Sequence, residues 1–232
     1  MNSEYENAFR GLQKTSLIDF PGHVASVFFV GGCQFRCPYC HNGPLVRKEA
    51  PEIPWSEVWA FLEKRKATMD GVCISGGEPT TAPFLLPFIR KVKSMGFKVK
   101  LDTNGYEPDV LASLFFEGLL DYVAMDIKNC PAKYAITCGL LMVDLQLLRH
   151  SVELIKSSGV AYEFRTTVCR ELHTVEDMEQ IGLMLGGGEK YVLQKVQDKS
   201  TLSGGRFTAP SPAELAAMQI ILQQRFKQVV VR

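Results

Sequence analysis

The sequence predicts an α/β protein with parallel strands, arranged as a barrel or as a doubly wound sheet. Apolar, β-branched runs recur along the chain, several of them continuously apolar, as strands covered on both faces are. Apolar stripes at helical spacing fall between these runs. Polar and glycine residues gather just beyond the C-terminal end of each predicted strand.

In chain order, the strands are VASVFFV from Val24, GVCIS from Gly71, KVKLD from Lys98, YVAMDI from Tyr122, YEFRTTV from Tyr162, YVLQKV from Tyr191 and the closing VVVR. The first helix is SEVWAFLEKRK from Ser56. The second carries Leu85, Phe88, Ile89, Val92 and Met95, with Gly96 as its stop. PDVLASLFFEG lies between Pro108 and Gly118, and Leu145, Leu148, Val152 and Ile155 form a stripe that Gly159 ends. Thr174 with Asp177, and Ser211 with Pro212 and Glu214, mark the N-termini of two more helices. The segments LGGGEK and LSGGRF read as turns or mobile loops.

The chain has 232 residues, 46% of them hydrophobic, enough for one substantial core. A single domain over 1–232 is expected, with its core over about 11–197 and a C-terminal helix and short strand over 211–232. The formal net charge of +1 gives no nucleic-acid footprint. No apolar run reaches the ~18 residues of a membrane span. The opening MNSEYENAFRGLQK is polar and lacks the apolar stretch of a secretory signal. The seven cysteines are an odd number in a chain too core-rich to be a disulfide-stapled scaffold. A cytoplasmic, reduced protein that uses some thiols for a metal or for catalysis fits them.

The polar residues at the strand ends are Gly31-Gly32-Cys33, Ser75-Gly76-Gly77-Glu78-Pro79, Asp102-Thr103-Asn104-Gly105, Asp126-Ile127-Lys128, Arg165, and Gln194-Lys195. In a parallel α/β barrel such ends converge on one mouth, where active sites sit. The densest is GGCQFRCPYCHNGP, which spaces Cys33, Cys37 and Cys40 as Cys-x3-Cys-x2-Cys. Structural zinc takes four protein ligands, usually from paired Cys-x2-Cys knuckles; Cys73 would have to be the fourth here. The other reading is a [4Fe–4S] cluster held by three thiolates, with one iron left open to a cofactor.

That triad on the loop after the first strand, with Tyr39 just before its last cysteine, resembles the radical S-adenosylmethionine (SAM) superfamily. SGGEP on the second strand resembles the superfamily's second motif. The resemblance covers about Gly11 to Gln197. It implies a partial (β/α)6 TIM-type barrel with parallel strands, the cluster loop following strand 1. CHN after the triad, LDTNG after the third strand and MDIK after the fourth look like the glycyl-radical-enzyme activases. The opening GLQKTSLIDFPGHVASVFFVGGCQFRCPYCHN looks most like the activating proteins of anaerobic ribonucleoside-triphosphate reductase. Alternatives are an activase of pyruvate formate-lyase or another glycyl radical enzyme, or a small-molecule enzyme of the superfamily such as a deazaguanine synthase. A non-enzymatic iron–sulfur or zinc protein is the reading from another class.

The resemblance implies a [4Fe–4S] cluster on Cys33, Cys37 and Cys40, with SAM on its open iron. The cluster and SAM ligands are then the whole of the catalytic set. Tyr39 would sit beside the adenine, or simply pack on the core. Gly76 and Gly77 would let the backbone approach the methionyl amino group, and Glu78 would accept from it. The plain alternative is a strand-to-helix turn with Glu78 at a helix start. Asp102 and Thr103, with Asp126, resemble residues that in pyruvate formate-lyase activase flank the SAM carboxylate and hold a monovalent cation. Repulsion between neighbouring carboxylates gives such a cation its reason. Lys128 and Arg165 would pair with the SAM carboxylate, with Asp126, or with both; a structural ion pair is the alternative. His41 and Asn42 would tune the cluster or shape its loop. His23, His150 and His173 carry no motif and read as surface or packing residues. Cys73, Cys130, Cys138 and Cys169 read as small core residues. The implied partners are a glycyl radical enzyme and a flavodoxin or ferredoxin-type electron donor.

Overall fold

The structure is a computed structural model that describes residues 9–197 and 200–232. The opening residues 1–8, read above as part of a polar segment without a signal, lie outside the described residues. The chain forms two compact units. One is built from residues up to Gln34 with Pro44–Thr103 and Asp109–Val123; the other from Phe35–Gly43, Asn104–Pro108 and Ala124–Arg232. Within each unit the strand neighbours follow chain order.

In the first unit, β1 (Phe9–Ser16) pairs antiparallel with β2 (Ala25–Val30). Helix α1 (Gly43–Val46) and helix α2 (Trp55–Arg65) precede β3 (Gly71–Gly76), which lies parallel to β2 with Val27 opposite Cys73. Helix α3 (Leu85–Ser94) leads to β4 (Lys98–Thr103), parallel to β3 with Cys73 opposite Lys100. Helix α4 (Pro108–Phe116) and β5 (Tyr122–Asp126) follow. Val72, Cys73 and Ile74 are fully buried, as are Val99 and Leu101, which is why these strands read as unbroken apolar runs.

An aromatic cluster joins this unit's layers. The Phe9 ring lies 5.0 Å from Phe28, 5.6 Å from Trp55, 5.1 Å from Phe84 and 4.7 Å from Phe88. Most of these pairs are edge-on or tilted, the arrangement the ring quadrupole favours. β1 was not legible as a strand. Only its two ends, Phe9 and Ser16, are buried, so an edge strand with a half-solvated middle shows no apolar run.

In the second unit, helix α5 (Tyr134–Cys138) and helix α6 (Leu145–Ser157) precede β6 (Ala161–Val168). Helix α7 (Val175–Leu185), β7 (Gly188–Lys195), helix α8 (Pro212–Gln223) and β8 (Phe226–Val231) complete it. β6, β7 and β8 pair in parallel. Both expected capping boxes are present. Thr174 and Asp177 cap α7 reciprocally, and Ser211 and Glu214 cap α8, whose first residue is Pro212. LGGGEK carries the end of α7 into β7, and LSGGRF is a turn. Glu163 is buried and held by Lys190 at 2.9 Å and Arg232 at 3.3 Å, tying β6, β7 and the residue after β8 together. Burial pushes its carboxyl up, but the two cations bring it below its ordinary value. Among the described residues, no helix is long and apolar enough to cross a membrane.

Phe9 is fully buried against four rings, so Phe9→Ala should destabilise the protein by about 3–5 kcal/mol in urea unfolding. A loss under about 1 kcal/mol would show that β1 is not integral to this core.

Candidate functional site

In the first unit, the turn after β3 is packed against the end of β2. Gly77 N–H donates to the Val30 carbonyl at 2.9 Å, and Glu78 N–H donates to the Gly32 carbonyl at 2.8 Å. A Cβ on Gly77 would overlap the Gly32 carbonyl, and one on Gly76, at φ +120°, would overlap the Val30 backbone. The close approach that these glycines permit is therefore between two chain segments, one of which runs directly into Cys33. Cys33 is half-buried, its Sγ 3.8 Å from Gln34 Oε1.

Glu78 is buried. Its Oε1 accepts from Thr80 N–H at 3.1 Å, Thr80 Oγ1 at 2.6 Å and Thr103 Oγ1 at 2.7 Å. The carboxylate thus caps the short 3-10 turn Pro79–Thr81, as the plain reading had it, and also locks the end of β4 to the turn after β3. Asp102 lies on β4 and is ion-paired with Lys100, two residues earlier on the same strand face. Thr80 and Lys100 were not singled out from the sequence, and Thr103 was named there for the SAM carboxylate, not as a partner of Glu78. The i, i+2 spacing of Lys100 and Asp102 is a signal that strand periodicity could have supplied.

In the second unit, the loop carrying Cys37, Tyr39 and Cys40 is fixed largely by main-chain bonds. Arg36 N–H donates to the Cys138 carbonyl at 2.7 Å, and Cys40 N–H to the Cys37 carbonyl at 3.0 Å. The Pro38 and Cys40 carbonyls accept from Ser203 N–H at 3.3 Å and Leu202 N–H at 2.8 Å. His41 Nε2 bonds the Gln197 carbonyl at 2.7 Å. Tyr39 is buried, with its ring 6.3 Å from His173 and 6.1 Å from Phe207. Its hydroxyl has no hydrogen-bond partner among the described residues.

At the end of β5, Asp126 accepts from Arg165 Nε at 2.8 Å on one oxygen and from Lys128 Nζ at 3.2 Å on the other. Burial pushes the Asp126 carboxyl up, but the Arg165 and Lys128 charges override it and hold the group at about 2. Burial opposes charge on Lys128 as well, yet Asp126 keeps its ammonium well above the ordinary lysine range. The Cys37 thiol is lowered to about 7, chiefly by a hydrogen bond from the Cys138 thiol and then by the Lys128 charge, against its burial. Burial raises Cys40.

His173 is a buried brace that sequence reasoning did not separate from ordinary packing. Its Nε2 lies 2.8 Å from the Lys128 carbonyl and its Nδ1 accepts from Cys169 N–H at 3.2 Å, partners that suit a neutral ring with its proton on Nε2. Burial lowers its pKa accordingly. Cys73, Cys130, Cys138 and Cys169 are all buried, and no disulfide joins any of the seven cysteines. Cys130 also donates to Asp177 at 3.2 Å.

Among the described residues, no group of three His, Cys, Asp or Glu side chains surrounds a point where one metal ion would sit. A four-iron cubane takes each thiolate on a different iron, so its ligands need not converge. Three soft donors on one loop, one of them biased towards thiolate at neutral pH, suit such a cluster.

Gly77→Ala should lower stability by about 3 kcal/mol or leave the chain unfolded, since its methyl group meets backbone rather than a side chain that could move aside. Urea unfolding checks this. Asp126 has its folded pKa below its unfolded one, so its contribution is complete above about pH 4 and vanishes as pH falls through about 2. Asp126→Asn should therefore cost roughly 2 kcal/mol at pH 7, with the gap to wild type closing between about pH 4 and pH 2. A gap of constant size across that range would contradict the assignment.

Residues 27–185 match the Radical SAM superfamily. A Methanocaldococcus jannaschii protein, named provisionally as a glycyl-radical enzyme activating enzyme, is 31% identical over 96% of this chain and 94% of its own. The pyruvate formate-lyase-activating enzyme of Clostridium pasteurianum is 34% identical over 51% of each chain. This chain likewise spans about half the length of other curated relatives it matches. A radical SAM methyltransferase from Sphaerobacter thermophilus has a similar structure, with a TM-score of 0.64 and 16% identity over 90% of this chain and 66% of that one. That likeness shows the fold class, the α/β class implied by the sequence. The superfamily works with a [4Fe–4S] cluster and SAM, and the three-cysteine loop has the donor chemistry the cluster needs. By the family match over most of its length, this chain belongs to the radical SAM superfamily and is a radical SAM enzyme.

Proposed function

We propose that the protein is a glycyl-radical-enzyme activase whose partner is an anaerobic ribonucleoside-triphosphate reductase. The observation that carries the activase reading is the alignment with the M. jannaschii protein along nearly the whole of both chains. The CHN, LDTNG and MDIK segments support it from the sequence, and the opening GLQKTSLIDFPGH supports the choice of partner.

In this reading Cys33, Cys37 and Cys40 hold the cluster. A cluster held there would supply the one-electron reduction that splits the carbon–sulfur bond of SAM, and the resulting hydrogen-atom abstraction would fall on a glycine of the partner. The chain's own work is binding and orientation. Lys128 and its neighbour Cys138 favour the thiolate of Cys37, the form a metal ligand must take. Glu78, fixed by Thr80 and Thr103, presents its carboxylate to the SAM ammonium, and Gly76 and Gly77 hold the turn that carries it. Asp102 and Thr103 flank the SAM carboxylate. Asp126, Lys128 and Arg165 form a fixed charge cluster whose two cations suit a carboxylate, and Tyr39 lies by the adenine. A flavodoxin or ferredoxin-type protein supplies the electron in a reducing, cytoplasmic setting, to which seven cysteines without a disulfide are suited.

The test is anaerobic reconstitution with reductant, SAM and either the reductase or pyruvate formate-lyase, read by electron paramagnetic resonance. A glycyl doublet on the reductase is expected; a doublet on pyruvate formate-lyase alone moves the partner, and none on any glycyl radical enzyme defeats the activase reading. Cys37→Ala should lose the cluster's iron. Asp102→Ala should keep the iron and weaken SAM binding.

A further inference from the structure

We propose that Lys100 is the counter-cation of Asp102, so that SAM binding at this carboxylate needs no alkali-metal ion. This rests on the reading above that Asp102 flanks the SAM carboxylate. Two carboxylates side by side repel, and one of them can stay charged only beside a positive charge. The resemblance to pyruvate formate-lyase activase implied a bound monovalent cation for that purpose. Here the chain itself brings a cation to the same carboxylate.

Lys100 stands on β4 two residues before Asp102, so the two side chains share a strand face and the ammonium is ion-paired with Asp102 Oδ1. The Lys100 side chain is only 2% exposed and that of Asp102 13%. The ammonium also lies 3.7 Å from the Cys73 thiol, directly across the ladder on β3, and 5.9 Å from the face of the Tyr122 ring. A lysine buried to this degree is retained only where an anion meets it, because an uncompensated ammonium in such surroundings costs several kcal/mol. Asp102 is an anion that meets it here. An ammonium on a strand is also a permanent occupant, with no dissociation equilibrium, whereas a soluble ion must be recruited at each binding event. Lys100 is thus a positioning residue: it acts on SAM through Asp102.

The experiment measures SAM affinity by calorimetry on the reconstituted, unreduced enzyme without partner, in potassium, sodium or choline chloride at one ionic strength. The wild type should bind SAM equally, within about twofold, in all three salts. Lys100→Ala, which opens space beside Asp102, should lose about tenfold or more in choline and recover much of that in potassium or sodium. Lys100→Arg should keep the indifference to salt. A wild type that loses affinity severalfold in choline overturns the proposal, even if no variant folds. So does a Lys100→Ala protein that binds as the wild type does in choline, or whose loss no alkali ion restores. Because no partner and no turnover are involved, failure of the activase reading would leave these outcomes unchanged and show only in the glycyl signal.

Discussion

The constraint on which the site depends is a backbone crossing with no space for a side chain. The turn after β3 donates two amides to the Val30 and Gly32 carbonyls, and Gly76 and Gly77 are the residues that make this approach possible. The chain leaving β2 towards Cys33 and the turn carrying Glu78 are therefore one rigid piece. Thr103 then bonds Glu78 from the end of β4. Three strand ends are fixed together by hydrogen bonds among one carboxylate, two hydroxyl groups and main chain. A binding group held in this way loses little entropy when a ligand meets it.

The second unit solves the corresponding problem with charge. Asp126 receives a guanidinium and an ammonium on opposite oxygens, and His173 ties the Lys128 carbonyl to the loop after β6. Half-buried ions persist because each satisfies the other. The neutral imidazole serves as a strut between two main-chain segments. The Lys128 charge also reaches Cys37, so one cation both steadies an acid and biases a thiol.

Much of this was legible beforehand, for physical reasons. Buried parallel strands leave continuous apolar runs, and both capping boxes follow from side chains that must reach their own helix amides. The cysteine spacing and SGGEP are local patterns that survive in one dimension. β1 was hidden because an edge strand is half solvated. The short helix α5 was hidden because five residues give no period. Thr80 was missed although it stands only two residues after Glu78; Thr103 was named for the SAM carboxylate, but its bond to Glu78, like that of His173 to the Lys128 carbonyl, spans a separation that no local pattern encodes. Gly76 and Gly77 were singled out for closeness to a ligand amino group; the structure adds the neighbouring backbone as the surface they meet.

The glycine turn over residues 202–205 meets the cysteine loop mainly through amides on carbonyls, with Ser203 Oγ the one side-chain donor. A contact of that kind reads chain length and path, and is almost blind to which amino acids occupy the turn. Away from Gly204, whose φ of +73° favours glycine, substitutions there are tolerable during evolutionary drift, whereas an insertion or deletion of a single residue would shift every amide out of register and uncover Cys40 on that side. A segment largely free to change its letters is thus far less free to change its span.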